Sequence, residues 1–108
     1  MNKKLDRLAE IVARANDMFY AKHKTIDTLM GIMDKALRAQ GMMADAITID
    51  CVTLDKKVVL LLHDAKPNIV EIALGNKQGD IYSSSEYEVT ELTEAVVLGI
   101  LEMSFISQ

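Results

Sequence analysis

The chain has 108 residues, a mass of 12.0 kDa and a hydrophobic content of 50%, which favour one domain over residues 1–108 and argue against intrinsic disorder. Its formal net charge of −4 and its pI of about 5.1 argue against a general binder of nucleic acid or of anionic membranes. A single cysteine excludes an internal disulfide framework and any multi-cysteine metal site.

Apolar side chains recur at helical spacing over residues 3–40. A first stripe predicts an amphipathic helix and consists of Leu5, Leu8, Val12, Ala15 and Phe19. A second set predicts another helix and consists of Ile26, Leu29, Met30, Met33 and Leu37. Thr25 is the expected N-cap of that helix, and Gly41 is the expected glycine after its end. Because no Gly or Pro interrupts residues 21–24, the sequence leaves open whether these are two helices or one. We take two.

The pattern changes to that of strands after Gly41. Four strands are predicted, around residues 47–52, 58–62, 69–74 and 81–84. Their short polar connections favour antiparallel pairing. A last helix is predicted to begin near Thr90. The predicted fold is therefore α+β: two N-terminal helices, a four-stranded antiparallel meander and a C-terminal helix packed on the sheet.

The second predicted strand, Val58–Leu62, is apolar on both faces. One face of a meander meets the helices, so the other face needs cover from the same chain or from a second copy. The last helix also has a narrow polar face. We therefore predict a homodimer. The candidate interface residues are Val58, Leu60, Leu62, Val97, Leu98 and Leu101.

Charge is divided unevenly along the chain. Residues 1–44 contain eight basic and five acidic side chains, whereas residues 45–108 contain four basic and eleven acidic ones. The acidic half could steer a basic partner, or it could only be a solvated surface. The candidate steering residues are Glu86, Glu88, Glu91 and Glu94.

Catalytic and metal sites have little support in the sequence. If the turn at residues 55–57 pairs Leu54 with Val58, Cys51 and His63 become diagonal neighbours, as a nucleophile and base would be. However, cysteine is usually buried, and no glycine-rich turn or helix start adjoins Cys51 to form an oxyanion hole. His23 and His63 lie in different halves of the chain, without metal-ligand spacing. We predict no enzymatic activity, metal or cofactor.

The function predicted from these features is a non-enzymatic protein-interaction module. It is expected to be a cytoplasmic homodimer that binds neither nucleic acid nor membrane. The alternative is an acidic inhibitor, immunity or decoy-type regulator that binds a basic partner through the C-terminal half. Salt separates the two, because apolar dimerisation persists at high salt while charge-driven binding weakens.

Overall fold

The computed structural model describes residues 3–106 and shows a mixed α+β fold with a five-stranded antiparallel sheet. The elements follow in chain order as α1 (Lys3–Lys22), β1 (Leu29–Met33), α2 (Ala36–Ala39), β2 (Ala44–Cys51), β3 (Lys56–His63), β4 (Ile69–Gly75), β5 (Ile81–Glu88), a 3-10 turn (Val89–Glu91) and α3 (Glu94–Phe105). Neighbouring strands follow one another in sequence, so β1 and β5 are the two edges of the sheet.

The core lies between the sheet and the helices α1 and α3. The predicted stripe of α1 is confirmed, since all five of its residues are buried. We call the sheet face that packs on these helices the inner face. Its buried apolar side chains are Ile47, Ile49, Cys51, Val58, Leu60, Leu62, Val70 and Ile72. The opposite, outer face is covered by neither α1 nor α3, and Val59 and Leu61 are half-buried there.

The prediction of a second N-terminal helix and of only four strands is wrong. Residues Leu29–Met33 form the edge strand β1. Of the predicted second helix and the residues that follow it up to Gly41, only Ala36–Ala39 are helical. Gly31 disfavours a helix, whereas its missing Cβ suits the strand, because an added Cβ would lie 3.0 Å from Thr48 Oγ1 of β2. Pairing with β2 therefore overrides the helical spacing. Gly41, with a φ of 90°, does follow the short helix as expected.

The predicted register of the β2–β3 hairpin is also wrong. Cys51 pairs with Lys56, so the turn consists of residues 52–55. Asp55 adopts a φ of 50° in this turn, a left-handed conformation that aspartate tolerates better than most residues. The observed turn has four residues where three were predicted, and this shift changes every predicted cross-strand pair along the hairpin.

The last helix begins later than predicted. Its N-cap is Thr93, whose side chain accepts a hydrogen bond from the backbone N–H of Val96 at 3.2 Å. The chain before it forms the 3-10 turn, in which the Glu91 side chain accepts a hydrogen bond from the backbone N–H of Glu88 at 2.8 Å. This turn directs the chain from the edge strand β5 back over the inner face.

Candidate functional site

The predicted interface residues lie mostly in the core. Val58, Leu60 and Leu62 are at most 5% exposed, and Val97 and Leu101 are at most 1% exposed. Leu98 is half-buried and packs against the core. A side chain that is already buried within its own chain cannot line an exposed interface. Five of the six side chains are buried within their own chain, and the free apolar surface therefore has to be sought elsewhere.

The edge strand β1 carries only apolar side chains and glycine: Leu29, Met30, Gly31, Ile32 and Met33. Leu29 is 66% exposed and Ile32 is 44% exposed. No strand of the described chain pairs with its outer side. Edge strands of soluble proteins are usually protected from other chains by charges, prolines or bulges. Within Leu29–Met33, β1 has neither a charge nor a proline.

The opposite edge, β5, has a different chemistry. It is eight residues long and has three consecutive serines, followed by Glu86 and Glu88. Its pairing with β4 is irregular at Leu74 and Gly75, where the backbone carbonyl of Asp80 approaches the position that a Cβ of Gly75 would occupy. Charges and a bulge of this kind oppose pairing between two copies of the same strand.

A small groove lined by apolar side chains and by Ser83, Ser85 and Ser104 lies beside β5 on the inner face. It has a volume of about 90 Å³ and lies between β5 and α3. Leu74 and Tyr87 line it from the sheet, and Ile100 and Met103 line it from the helix. The Met103 side chain is 73% exposed, so the groove opens to solvent.

The four predicted steering glutamates do not form one free patch. Glu94, at the start of α3, pairs with Arg14 of α1 at 3.3 Å. A hydrogen bond to its own backbone, together with Arg14, holds the pKa of Glu94 below its ordinary value. The Glu91 side chain accepts a hydrogen bond from the backbone N–H of Glu88 and so caps the 3-10 turn. Glu86 lies on β5, 3.5 Å from the exposed ammonium group of Lys66. Only the two glutamates on β5 therefore belong to a sheet edge.

Cys51 and His63 are not brought together. The register places Cys51 opposite Lys56 at one end of the hairpin and His63 opposite Ala44 at the other end. Cys51 is 1% exposed on the inner face, whereas His63 lies on the outer face, 3.6 Å from Glu71. The nucleophile–base arrangement considered from the sequence is absent from this geometry.

A cleft of about 390 Å³ lies between α1 and the start of α3. Leu8, Ile11 and Leu92 form its apolar floor, and Arg7 and Glu94 lie at its rim. Neither Cys51 nor either histidine lines it. The cleft therefore lacks a cysteine nucleophile with a histidine base.

An arginine joins α2 to the ends of β2 and β3. Arg38 donates from Nε and Nη2 to Asp45 at 3.0 and 3.1 Å, and from Nη1 and Nη2 to Asp64 at 2.8 and 2.9 Å. These hydrogen bonds hold the pKa of Asp64 below its ordinary value. Since Asp45 is 3% exposed, the cluster stabilises the fold around a buried carboxylate.

A second ion-pair cluster connects the two long helices and predicts a pH dependence. Glu102 Oε2 of α3 lies 2.8 Å from His23 Nε2 and 3.0 Å from Lys22 Nζ. His23 and then Lys22 lower the pKa of Glu102 from its ordinary value of 4.5. A depressed carboxyl pKa stabilises the fold above the unfolded-state pKa, and the stabilisation is lost as pH falls below 4.5. Urea unfolding across this range should therefore give a smaller loss of stability for Glu102→Gln than for the parent chain.

Glu10→Gln is the control for this prediction, because Glu10 is an exposed α1 carboxylate with no ion pair among residues 3–106. Its acid dependence should match that of the parent chain. An unchanged acid dependence in Glu102→Gln would contradict the assignment.

Over residues 3–106, no three His, Cys, Asp or Glu side chains come together in a way that could hold a metal ion. In the same part of the chain, no helix has the length and apolar character needed to cross a membrane. Comparisons of the chain with models of protein families, with curated proteins and with solved structures find no match.

Proposed function

We propose that this protein is a non-enzymatic protein-interaction module whose unit is a homodimer joined through the β1 edges. One observation supports this above all others, namely the exposed and entirely apolar strand Leu29–Met33. Pairing with a second copy removes this strand from water and satisfies its outer backbone groups. The proposal keeps the predicted apolar dimer but moves its interface to an edge of the sheet.

A two-fold axis through Gly31 gives a self-complementary antiparallel pairing. Leu29 then lies opposite Met33 of the second copy on the outer face. On the inner face, Met30 lies opposite Ile32 of the second copy. The two sheets become one sheet of ten strands, and apolar side chains meet on both faces of the junction.

The charges beside β1 agree with this register. Asp27 precedes the strand and Lys35 follows it, and both are exposed. The antiparallel arrangement brings the Asp27 end of one copy to the Lys35 end of the other, twice by symmetry. Within residues 3–106 neither side chain forms an ion pair of its own. Opposite charges at both ends favour this partner and fix the alignment of the strands.

We test the dimer by light scattering on a sizing column at low and at high salt. The expected mass is twice 12.0 kDa under both conditions, because apolar contacts resist screening. Ile32→Lys should yield the monomer, since a lysine on an edge strand opposes pairing. The matched control is Ile81→Lys on β5, where the parent side chain is 68% exposed; it should remain dimeric.

A charge exchange tests the register. Asp27→Lys should weaken the dimer at low salt, and the further change Lys35→Asp should restore it. Circular dichroism confirms that each variant folds. A monomer at both salt concentrations would overturn the dimer, and a dimer unaffected by Ile32→Lys would overturn β1 as its interface.

The proposed function also includes a cellular compartment. We propose the cytoplasm, because the single cysteine, buried on β2, fits a reducing environment in which no disulfide is needed.

A further inference from the structure

We propose that the opposite edge, β5, binds an extended basic segment of another protein as a sixth strand. This goes beyond the homodimer, which occupies β1. Every residue of β5 except Tyr87 is exposed, and the strand lies on the far side of the sheet from β1. A peptide can therefore add to β5 in either the monomer or the dimer, through hydrogen bonds between the two backbones.

The carboxylates on the outer face beside β5 favour binding of a positively charged segment. Glu71 and Glu86 lie directly opposite each other on β4 and β5, a cross-strand pair of like charges that is unfavourable. The only lysine paired with them is distant, since Lys66 Nζ of the described chain lies 3.5 Å from Glu86, and the ring of His63 lies 3.6 Å from Glu71. Glu88 adds another carboxylate two residues along the same face. Over residues 78–108 the chain has six acidic side chains and no lysine or arginine.

The groove on the inner face beside β5 favours binding of an apolar side chain. Ser83 and Ser85 are small, so they leave the groove against α3 accessible from the edge of the sheet. Ile100 and Met103 line this groove from α3. An apolar residue of the peptide would cover the exposed Met103 side chain, which is favourable.

Together the two faces define the sequence of the partner. Successive residues of a strand point to opposite faces, so basic residues at alternate positions would meet Glu86 and Glu88. The residues between them would be apolar and would lie beside Ser85 and Tyr87. The favoured ligand is therefore a segment in which basic and apolar residues alternate. A second copy of this chain is a poor occupant, because pairing β5 with itself would bring two acidic strands together.

The test uses fluorescence anisotropy with labelled synthetic peptides as long as β5, eight residues. One peptide alternates lysine and valine, a second has the same composition in two blocks, and a third replaces each lysine with glutamate. We expect the alternating peptide to bind about tenfold more tightly than the block peptide, and the glutamate peptide not to bind. Binding should weaken at high salt, and amide hydrogen exchange should show new protection in β5.

Three variants distinguish binding at the β5 edge from general electrostatic attraction to the protein. The double change Glu86→Lys with Glu88→Lys should weaken binding by about tenfold or more, whereas Glu10→Lys, on an exposed face of α1, should change it much less. Met103→Glu adds an acid but removes the apolar wall. It should weaken binding if the peptide fills the groove, and strengthen it if charge alone is responsible.

Equal affinity for the alternating and block peptides, or stronger binding by Met103→Glu, would overturn the proposal. So would the absence of binding by a folded protein. The Ile32→Lys variant tests peptide binding independently of the dimer. It should be monomeric and should still bind the alternating peptide as tightly as the parent chain does.

Discussion

Phe19→Ala is expected to lower the free energy of unfolding by about 3–5 kcal/mol, which is a large part of the stability of a domain of this size. Phe19 is fully buried and packs edge-to-face on Phe105 of α3, with ring centroids 5.9 Å apart. Its ring also lies 4.9 Å from that of His23. Removing the ring opens a cavity where the two long helices meet, and the surrounding structure usually relaxes only partially around such a cavity.

Urea denaturation followed by circular dichroism measures this effect. The control is Tyr20→Ala, the next residue on α1, because Tyr20 is 52% exposed and should contribute less than about 0.5 kcal/mol. Phe19→Leu should fall between the two, since it retains most of the buried apolar volume. Similar losses for the two alanine variants would contradict the packing of α1 on α3.

The helix α1 was predictable because its pattern has one interpretation. Its buried residues recur at steps of three and four, with charged residues between them, and no strand has that spacing. β1 was not predictable in the same way. Leu29–Met33 is apolar at every position, so it fits either a buried helical segment or a strand. The pairing with β2 decides, and that interaction is not local in sequence.

The candidate site depended on a register that the sequence could not determine. The sequence pattern predicts the β2 and β3 segments but places the turn between them at residues 55–57, whereas the structure has it at residues 52–55. The predicted register pairs Leu54 with Val58, whereas in the structure Val58 pairs with Ile49, five residues earlier. Because side chains alternate between the two faces of a strand, a shift by an odd number of residues changes which side chains of the two strands share a face. The predicted register makes Cys51 and His63 diagonal neighbours, whereas the observed register places them at opposite ends of the hairpin.

Local sequence patterns also do not show which strands lie at the edges of the sheet. The sequence indicates the acidic residues Glu86 and Glu88 of β5, and it places Leu29, Met30 and Met33 of β1 in an apolar helical pattern. It did not show that these strands are the first and last of the sheet. A strand is an edge only because no other strand lies beside it, which depends on the complete topology. The two surfaces proposed here therefore became visible only with the fold.

Arg38→Met is the second substitution with a large expected effect, and it tests the polar cluster on α2. The guanidinium group is shared between Asp45 and Asp64. Without it, the 3% exposed carboxylate of Asp45 has no cation within the cluster, and an unpaired buried charge is strongly unfavourable. We expect the melting temperature to fall by roughly 10 °C. Differential scanning calorimetry measures it.

The pattern of rescue distinguishes a buried charge from simple loss of packing. Asp45→Asn, added to Arg38→Met, should recover part of the melting temperature, because it removes the charge that the arginine had compensated. Asp64→Asn should not, since the Asp64 side chain is 48% exposed and remains solvated without a partner. Arg14→Met, which breaks an exposed ion pair with Glu94, should change the melting temperature by only about 2 °C. If Asp45→Asn gives no recovery, the arginine acts through its packing on β2, and the cluster holds α2 in place by shape instead of charge.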